Sequence, residues 1–191
     1  MDINEKRLRA ALKRNFAEVN NAILKRTAYN KLCSAGFNYT GMSFFVIAQQ
    51  ALFNDMVANA IRVFDDHKDV SSLWYIIRCN EGIAKKAATA CGINIEKLRA
   101  IVPKLRHIRD KTHFHIDRKA VEAPKDVWKD AGVSGNELTD ALYGAATLLA
   151  HIKKETFGGE IEKLTPYDGS DVQAIVKAYM VFRDVNDNNN D

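Results

Sequence analysis

The segment from Arg106 to Arg118 holds the densest group of titratable and charged side chains in the sequence. Three of the five histidines, His107, His113 and His115, lie in it. Histidine exchanges a proton near neutral pH, and arginine stays charged and offers phosphate oxygens a planar fork of N–H donors. Metal-independent cleavage of RNA needs only such groups: a histidine that accepts the 2′-hydroxyl proton and an arginine that stabilises the charge on the phosphate.

Helix geometry limits which of these side chains can act together. On an α-helix, with about 100° and about 1.5 Å per residue, Arg109 and His113 differ by about 40° and share a face. Arg109 and His115 are about 120° apart on the same helix. Two copies of the helix meeting across a two-fold axis would instead bring Arg109 of one chain near His115 of the other. The sequence leaves both pairings open.

The catalytic candidates are therefore Arg109, Asp110, His113 and His115. Either Asp110 or Asp117 could orient the imidazole of His113. The candidates for binding an RNA phosphate are the basic side chains of the segment: Arg106, Lys111 and Arg118. A zinc site is not expected, because His113 and His115 would point about 200° apart on a helix. No cysteine completes a tetrahedral ligand set beside them.

The string RDKTHFHID, residues 109–117, resembles the R-[polar]-x(4)-H signature of HEPN domains, and closely the form found in the abortive-infection U branch. The order of the surrounding segments agrees over about residues 1–120. The resemblance implies an all-α bundle, usually a dimer in which the motif helices face each other, and metal-independent endoribonuclease activity in toxins and phage-defence systems. It makes Arg109 the phosphate-stabilising arginine, Asp110 the polar residue after it, and His115 the catalytic histidine.

The positioning elements are expected to be helices. Apolar residues at helical spacing predict long helices over about residues 4–33, 40–64, 94–118 and 136–157, and a last one after residue 166. The 40–64 segment is the most apolar and is expected to be the central helix. Pro103 interrupts the 94–118 segment, so we expect either a kink near Val102 or a new helix with Pro103 at its first position.

The shorter segments carry weaker patterns. Ser71 or Ser72 is expected to cap a short helix with its hydroxyl, and a further short helix is expected over about 81–90. Residues 122–134 predict a loop with one helical turn. The fold class that follows is an all-α, up-and-down helical bundle, HEPN-like, with extra C-terminal helices. It forms a single domain over residues 1–185, and residues 186–191 form a disordered tail.

Composition agrees with this fold and indicates a partner. The 10 glycines and 3 prolines are few for 191 residues, which argues against a many-stranded β architecture. Residues 94–119 carry eight basic and three acidic side chains, whereas residues 120–191 carry seven and thirteen. A basic segment of this kind attracts a phosphate-bearing partner such as RNA, although a merely solvated helix face has the same composition.

Targeting signals are not evident in the sequence. The first sixteen residues show no apolar signal region, and no apolar run reaches the roughly 20 residues of a membrane span. The three cysteines lack CxxC spacing, which favours a reducing, cytoplasmic location.

Three functions remain open at this point. The first is a cytoplasmic endoribonuclease that forms a homodimer, needs no cofactor or metal, and has an antitoxin protein as a possible partner. The second is a non-catalytic helical module that binds a nucleotide, a nucleic acid or a protein through the basic 94–119 face. The third is a structural dimeric bundle in which Arg109 and Asp110 belong to a buried ion-pair network.

Overall fold

The computed structural model of the protein describes residues 3–35, 43–113 and 124–187, with backbone only for residues 43, 113, 124, 125 and 184–187. Within these ranges every regular element is a helix, so the predicted all-α bundle is confirmed. In chain order the helices are α1 (Ile3–Ser34), α2 (Ser43–Phe64), α3 (Leu73–Cys79), α4 (Glu81–Cys91), α5 (Ile95–Arg99), α6 (Val102–Ile108), α7 (Pro124–Ala131), α8 (Gly135–Phe157) and α9 (Ser170–Asp187). A π-helical turn, Arg109–His113, continues α6.

The main core lies between α1, α2 and α8, and α3 to α7 pack around it. The apolar stripe predicted on α1 faces this core, since Leu12, Phe16, Val19 and Ile23 are all buried. Burial of each such side chain contributes roughly 1.5–3 kcal/mol, so this face is a large part of what fixes the helix in place. None of the described helices is both long and apolar enough to cross a lipid bilayer.

The expectation that α2 is the central helix is wrong in its first half. Residues 56–64 of α2 are mostly buried, but Phe44 and Ile47 are exposed. The helix that touches most of the bundle is α1, which packs against α2, α3, α8 and α9. The apolar residues of α2 therefore form two surfaces, one at each end of the helix. Only the surface at the C-terminal end is part of the main core.

A second, smaller apolar cluster lies at the other end of α2. Its buried members are Leu32 of α1, Phe45 of α2 and Val176 of α9. The ring of Tyr179 packs edge-on against Phe45, with 5.3 Å between the ring centroids. This cluster attaches α9 to the end of α1 and the beginning of α2.

The break in the 94–118 segment follows one of the two expected alternatives. The helix ends after Arg99, and a new helix begins at Val102 with Pro103 in its first turn, where the missing N–H has no helical acceptor in any case. Asn94 and Ser134 act as side-chain caps of α5 and α8. The two side chains accept the N–H groups of Lys97 and Glu137, which have no acceptor within the helix.

Three local predictions differ from the structure. Ser72 occupies the N-cap position of α3, but its hydroxyl makes no capping bond; the buried residue supports the helix through its carbonyl, which accepts the N–H of Ile76 at 3.2 Å. The predicted loop over 122–134 contains the eight-residue helix α7, which buries Val127. The last helix extends through Asp187, two residues into the predicted tail, and residues 188–191 lie outside the described ranges.

Candidate functional site

The candidate site is built on the C-terminal end of α2. Asp65 and Asp66 follow Phe64, the last residue of that helix. A helix C-terminus carries a partial negative charge, so two carboxylates there are unfavourable unless cations compensate them. The indole N–H of Trp74, on α3, donates to the carbonyl of Phe64 at 2.9 Å and satisfies one of the orphan acceptors of α2. This bond fixes the chain reversal that carries both aspartates.

Two arginines of the α6 region supply the compensating charge. Arg109 contacts Asp65 (Nη1 to Oδ2, 3.5 Å) and donates from Nε to Oδ1 of Asp110 at 2.8 Å. Arg106 pairs with Asp66 at 2.5 Å. The hydrogen bond that Arg106 donates to Asp66, and the charge of that carboxylate, raise the pKa of Arg106 above its ordinary value. We refer to these five residues as the ion-pair site.

The ion-pair site is partly open to solvent and contains little space. The side chains of Arg109 and Asp65 are 28% and 19% exposed, so neither is deeply buried. The crevice between the end of α2 and α6 has a volume of about 10 Å³. A space of this size holds about one water molecule and is far too small for a phosphodiester. Within the described ranges, Arg109 therefore lies at a surface without a cleft around it.

The histidines are only in part within the described ranges. His107 is partly buried on α6, and the backbone of His113 ends the π-helical turn, while the side chain of His113 is not described. His115 and Arg118 lie outside the described residues. In a π-helical turn the hydrogen bonds join residue i to i+5, so the α-helical angles expected between Arg109 and His113 do not apply. Such turns occur frequently at functional sites.

Much of the positive charge of the 94–119 segment is compensated by other parts of the chain. Lys104 donates to Glu137 at 2.7 Å and to the carbonyl of Gly132 at 2.8 Å. Three basic side chains of the segment are thus ion-paired: Lys104, Arg106 and Arg109. Lys111, which with Arg106 and Arg118 was a candidate for phosphate binding, is partly buried. Among the described residues, Lys97 and Arg99 form no ion pair, and both lie on α5.

A second basic feature was not expected from the sequence. The guanidinium group of Arg99 lies over the ring of Trp74, with 4.7 Å between Cζ and the ring centroid. Arg99 and Arg78 line an open groove between α3, α4 and α5, which we call the arginine groove. The two arginines are twenty-one positions apart. They line the same groove because of the chain reversals between three short helices, which leave no spacing pattern in the sequence.

The described residues hold no group of three or more His, Cys, Asp or Glu side chains able to bind a metal ion. The side chains of His113 and His115, on which the expectation about zinc rests, lie outside the described part of the chain. The histidine and arginine side chains of the segment offer acid–base chemistry and charge stabilisation.

No protein-family model, no curated protein and no solved structure shows a significant match to this chain. The function is therefore argued from the ion-pair site and its surroundings.

Proposed function

We propose that the protein is a metal-independent, HEPN-like endoribonuclease of a phage-defence or toxin–antitoxin type system, with a composite site at a homodimer interface in the cytoplasm. The observation that supports this proposal most is the placement of Arg109. Its guanidinium group is held by carboxylates on two sides, at a solvent-accessible position beside the π-helical turn that leads to the histidines. A guanidinium positioned before substrate binds can stabilise a phosphate without reorganisation.

The state of Arg109 is compatible with binding a phosphate. Its contacts with Asp65 and Asp110 use two of its five N–H donors. The contact with Asp65 is long at 3.5 Å, beyond the usual range for N–H···O bonds. A phosphate oxygen could replace this carboxylate while Asp110 keeps the guanidinium oriented through Nε.

The small crevice favours a site shared between two copies. Among the described residues the crevice of about 10 Å³ cannot enclose a phosphodiester, and a second molecule could supply the walls of a cleft. In a two-fold dimer each copy would offer Arg109 and Asp110 to the histidines of the other. In this proposal His115 is the general base, with His113 as the alternative, and Arg106, Lys111 and Arg118 bind the RNA. A toxic nuclease of this kind would be neutralised by an antitoxin protein.

The test is cleavage of RNA in EDTA by the purified protein and its variants. Arg109→Ala and His115→Ala should each lower the cleavage rate by about 10² or more, because general acid–base and charge-stabilising groups contribute on this scale. Lys177→Gln, which removes an exposed positive charge on α9, is the matched control. A comparison of His113→Ala with His115→Ala identifies the functional histidine.

Light scattering after size-exclusion chromatography checks the dimer in the same preparations. The proposal is wrong if the wild-type protein is a monomer, or if Arg109→Ala cuts RNA as fast as the wild type. Circular dichroism of each variant separates a loss of chemistry from a loss of fold.

The second candidate is a non-catalytic module that binds a nucleotide, a nucleic acid or a protein. It is favoured by the ion pairs of Arg106 and Arg109, which reduce the charge available for chemistry, and by the absence of a cleft around them in the described residues. A module of this kind should bind RNA with a strong salt dependence and leave it intact.

A further inference from the structure

The arginine groove is an open depression of about 790 Å³ on the side of the bundle formed by α3, α4 and α5. Its volume lies within the range of small-molecule and cofactor sites, roughly 300–1,000 Å³. Apolar side chains form part of its wall, among them Ile77, Ile93 and Ile95. Such a surface offers a place for a planar, weakly polar group beside the charged rim.

Arg99 is held in place without the help of a carboxylate. Its guanidinium group stacks over Trp74, and among the described residues it forms no ion pair. The indole cannot turn freely, because Trp74 is 1% exposed and its N–H is bonded to the carbonyl of Phe64. Stacking leaves the N–H edges of a guanidinium free to bind a phosphate in a bidentate manner. Arg99 is thus fixed in position and still has hydrogen bonds to give.

The charges around the groove favour an anion. Lys85 and Glu81 form an ion pair at 2.6 Å and compensate each other. Arg78, like Arg99, is exposed and has no ion pair within the described residues. Glu96 is the remaining acidic side chain of the wall, so the groove carries one net positive charge.

We propose that the arginine groove binds a nucleotide unit, with its phosphate held by Arg78 and Arg99 and its base against the apolar wall. Guanidinium groups suit phosphate oxygens, and an apolar surface suits the face of a base. The unit can be a free nucleotide or one residue of an RNA strand.

A strand could reach the groove from the ion-pair site. Arg99 ends α5 and Arg106 lies on α6, seven residues further along the chain, so at most roughly 25 Å separates their Cα atoms. The inference does not depend on cleavage, because it concerns binding at residues outside the ion-pair site.

The test compares the wild type with Arg78→Gln, Arg99→Gln and the double variant. One arm measures the fluorescence anisotropy of a labelled 12-nucleotide single-stranded RNA, and the other measures calorimetric titration with AMP and UMP. Lys177→Gln is again the matched charge control. Arg99→Lys keeps the charge but not the planar group, and thermal melting of every variant shows whether the fold is retained.

The double variant should bind its ligand about tenfold more weakly than the wild type or the control, since a hydrogen bond to a charged group contributes on this scale. For RNA, the slope of log affinity against log salt should fall by about 0.7, the value for one phosphate contact on a single strand. Weaker nucleotide binding identifies a free nucleotide as the ligand, and an effect on RNA alone identifies a strand. Equal binding of both ligands by folded wild type and double variant, or no binding by the wild type, would overturn the inference.

Discussion

The strength of the contact between Arg109 and Asp65 distinguishes two roles of the ion-pair site. The site either holds α2 and α6 together or only positions Arg109. The perturbation is a double-mutant cycle with Arg109→Gln and Asp65→Asn. Asparagine is chosen because Oδ1 of Asp65 accepts the N–H of His67 at 2.9 Å, a bond that an amide oxygen keeps. The cycle therefore removes the ion pair and leaves the turn after α2 in place.

The magnitude follows from the distance and the exposure of the pair. At 3.5 Å and an effective dielectric constant of about 20, the gross Coulomb attraction is about 5 kcal/mol. Desolvation of both groups and ordering of two side chains oppose it, and exposed pairs retain only about 0–1 kcal/mol. Because these side chains are 28% and 19% exposed, we expect a coupling energy of about 1 kcal/mol. A deeply buried pair would lose about 3–5 kcal/mol when one partner is removed.

The assay is urea unfolding of the four proteins at 25 °C and low salt, followed by far-UV circular dichroism and by tryptophan fluorescence. Repeating the cycle in 1 M NaCl, where the Debye length is about 3 Å, should reduce the coupling energy because solvent reaches the pair. A coupling energy of 3 kcal/mol or more that does not respond to salt would refute the reasoning. It would show that Arg109 is needed for the fold, and a loss of nuclease activity in Arg109→Ala would then carry no information about chemistry.

Two further predictions concern the attachment of α9. Gly169 has φ +72°, and a Cβ at this position would lie 2.6 Å from Cγ of Lys31. Gly169→Ala should therefore lower the free energy of unfolding by about 1–2 kcal/mol and the Tm by a few degrees. Gly82→Ala, in open space on α4, is the control and should be neutral or stabilising. Burial, and the hydrogen bond donated to Asp171, raise the pKa of Tyr167 from 10.0 to about 12. Because the pKa of Tyr167 is higher in the folded than in the unfolded state, this tyrosine stabilises the fold below pH 10, and the stabilisation is lost as the pH rises towards 12. The Tm difference between wild type and Tyr167→Phe should therefore shrink over that window.

The sequence predicted the long helices well because their signal is local. On α1 and α8 the apolar residues at spacings of three and four form a pattern contained in the sequence of each helix alone. Both helices bury the face that this pattern predicts. Polar residues on the same faces were not predictable in this way. Glu18 on α1 is 5% exposed because Arg14, Arg62 and Asn59 surround it, and two of these partners lie more than forty residues away in the chain.

The candidate site could be predicted only in part for the same reason. Arg109 and Asp110 were singled out together by their motif, and they are in contact. The pairing of Asp65 and Asp66 with the arginines of the α6 region could not be predicted, since the sequence gives no register between the end of α2 and α6. The structure sets this register, with Asp65 at Arg109 and Asp66 at Arg106. The arginine groove has no local signal at all, because its two cations come from different short helices.

The division of the apolar interior into two clusters allows the two ends of the bundle to open independently. Within the described residues, α9 covers only the small cluster around Phe45, whereas α1, α2 and α8 share the main core. The free energy of detaching α9 is therefore much smaller than that of unfolding the whole chain. A brief local fluctuation can expose the apolar C-terminal end of α1 and N-terminal end of α2 to solvent while the ion-pair site keeps its geometry.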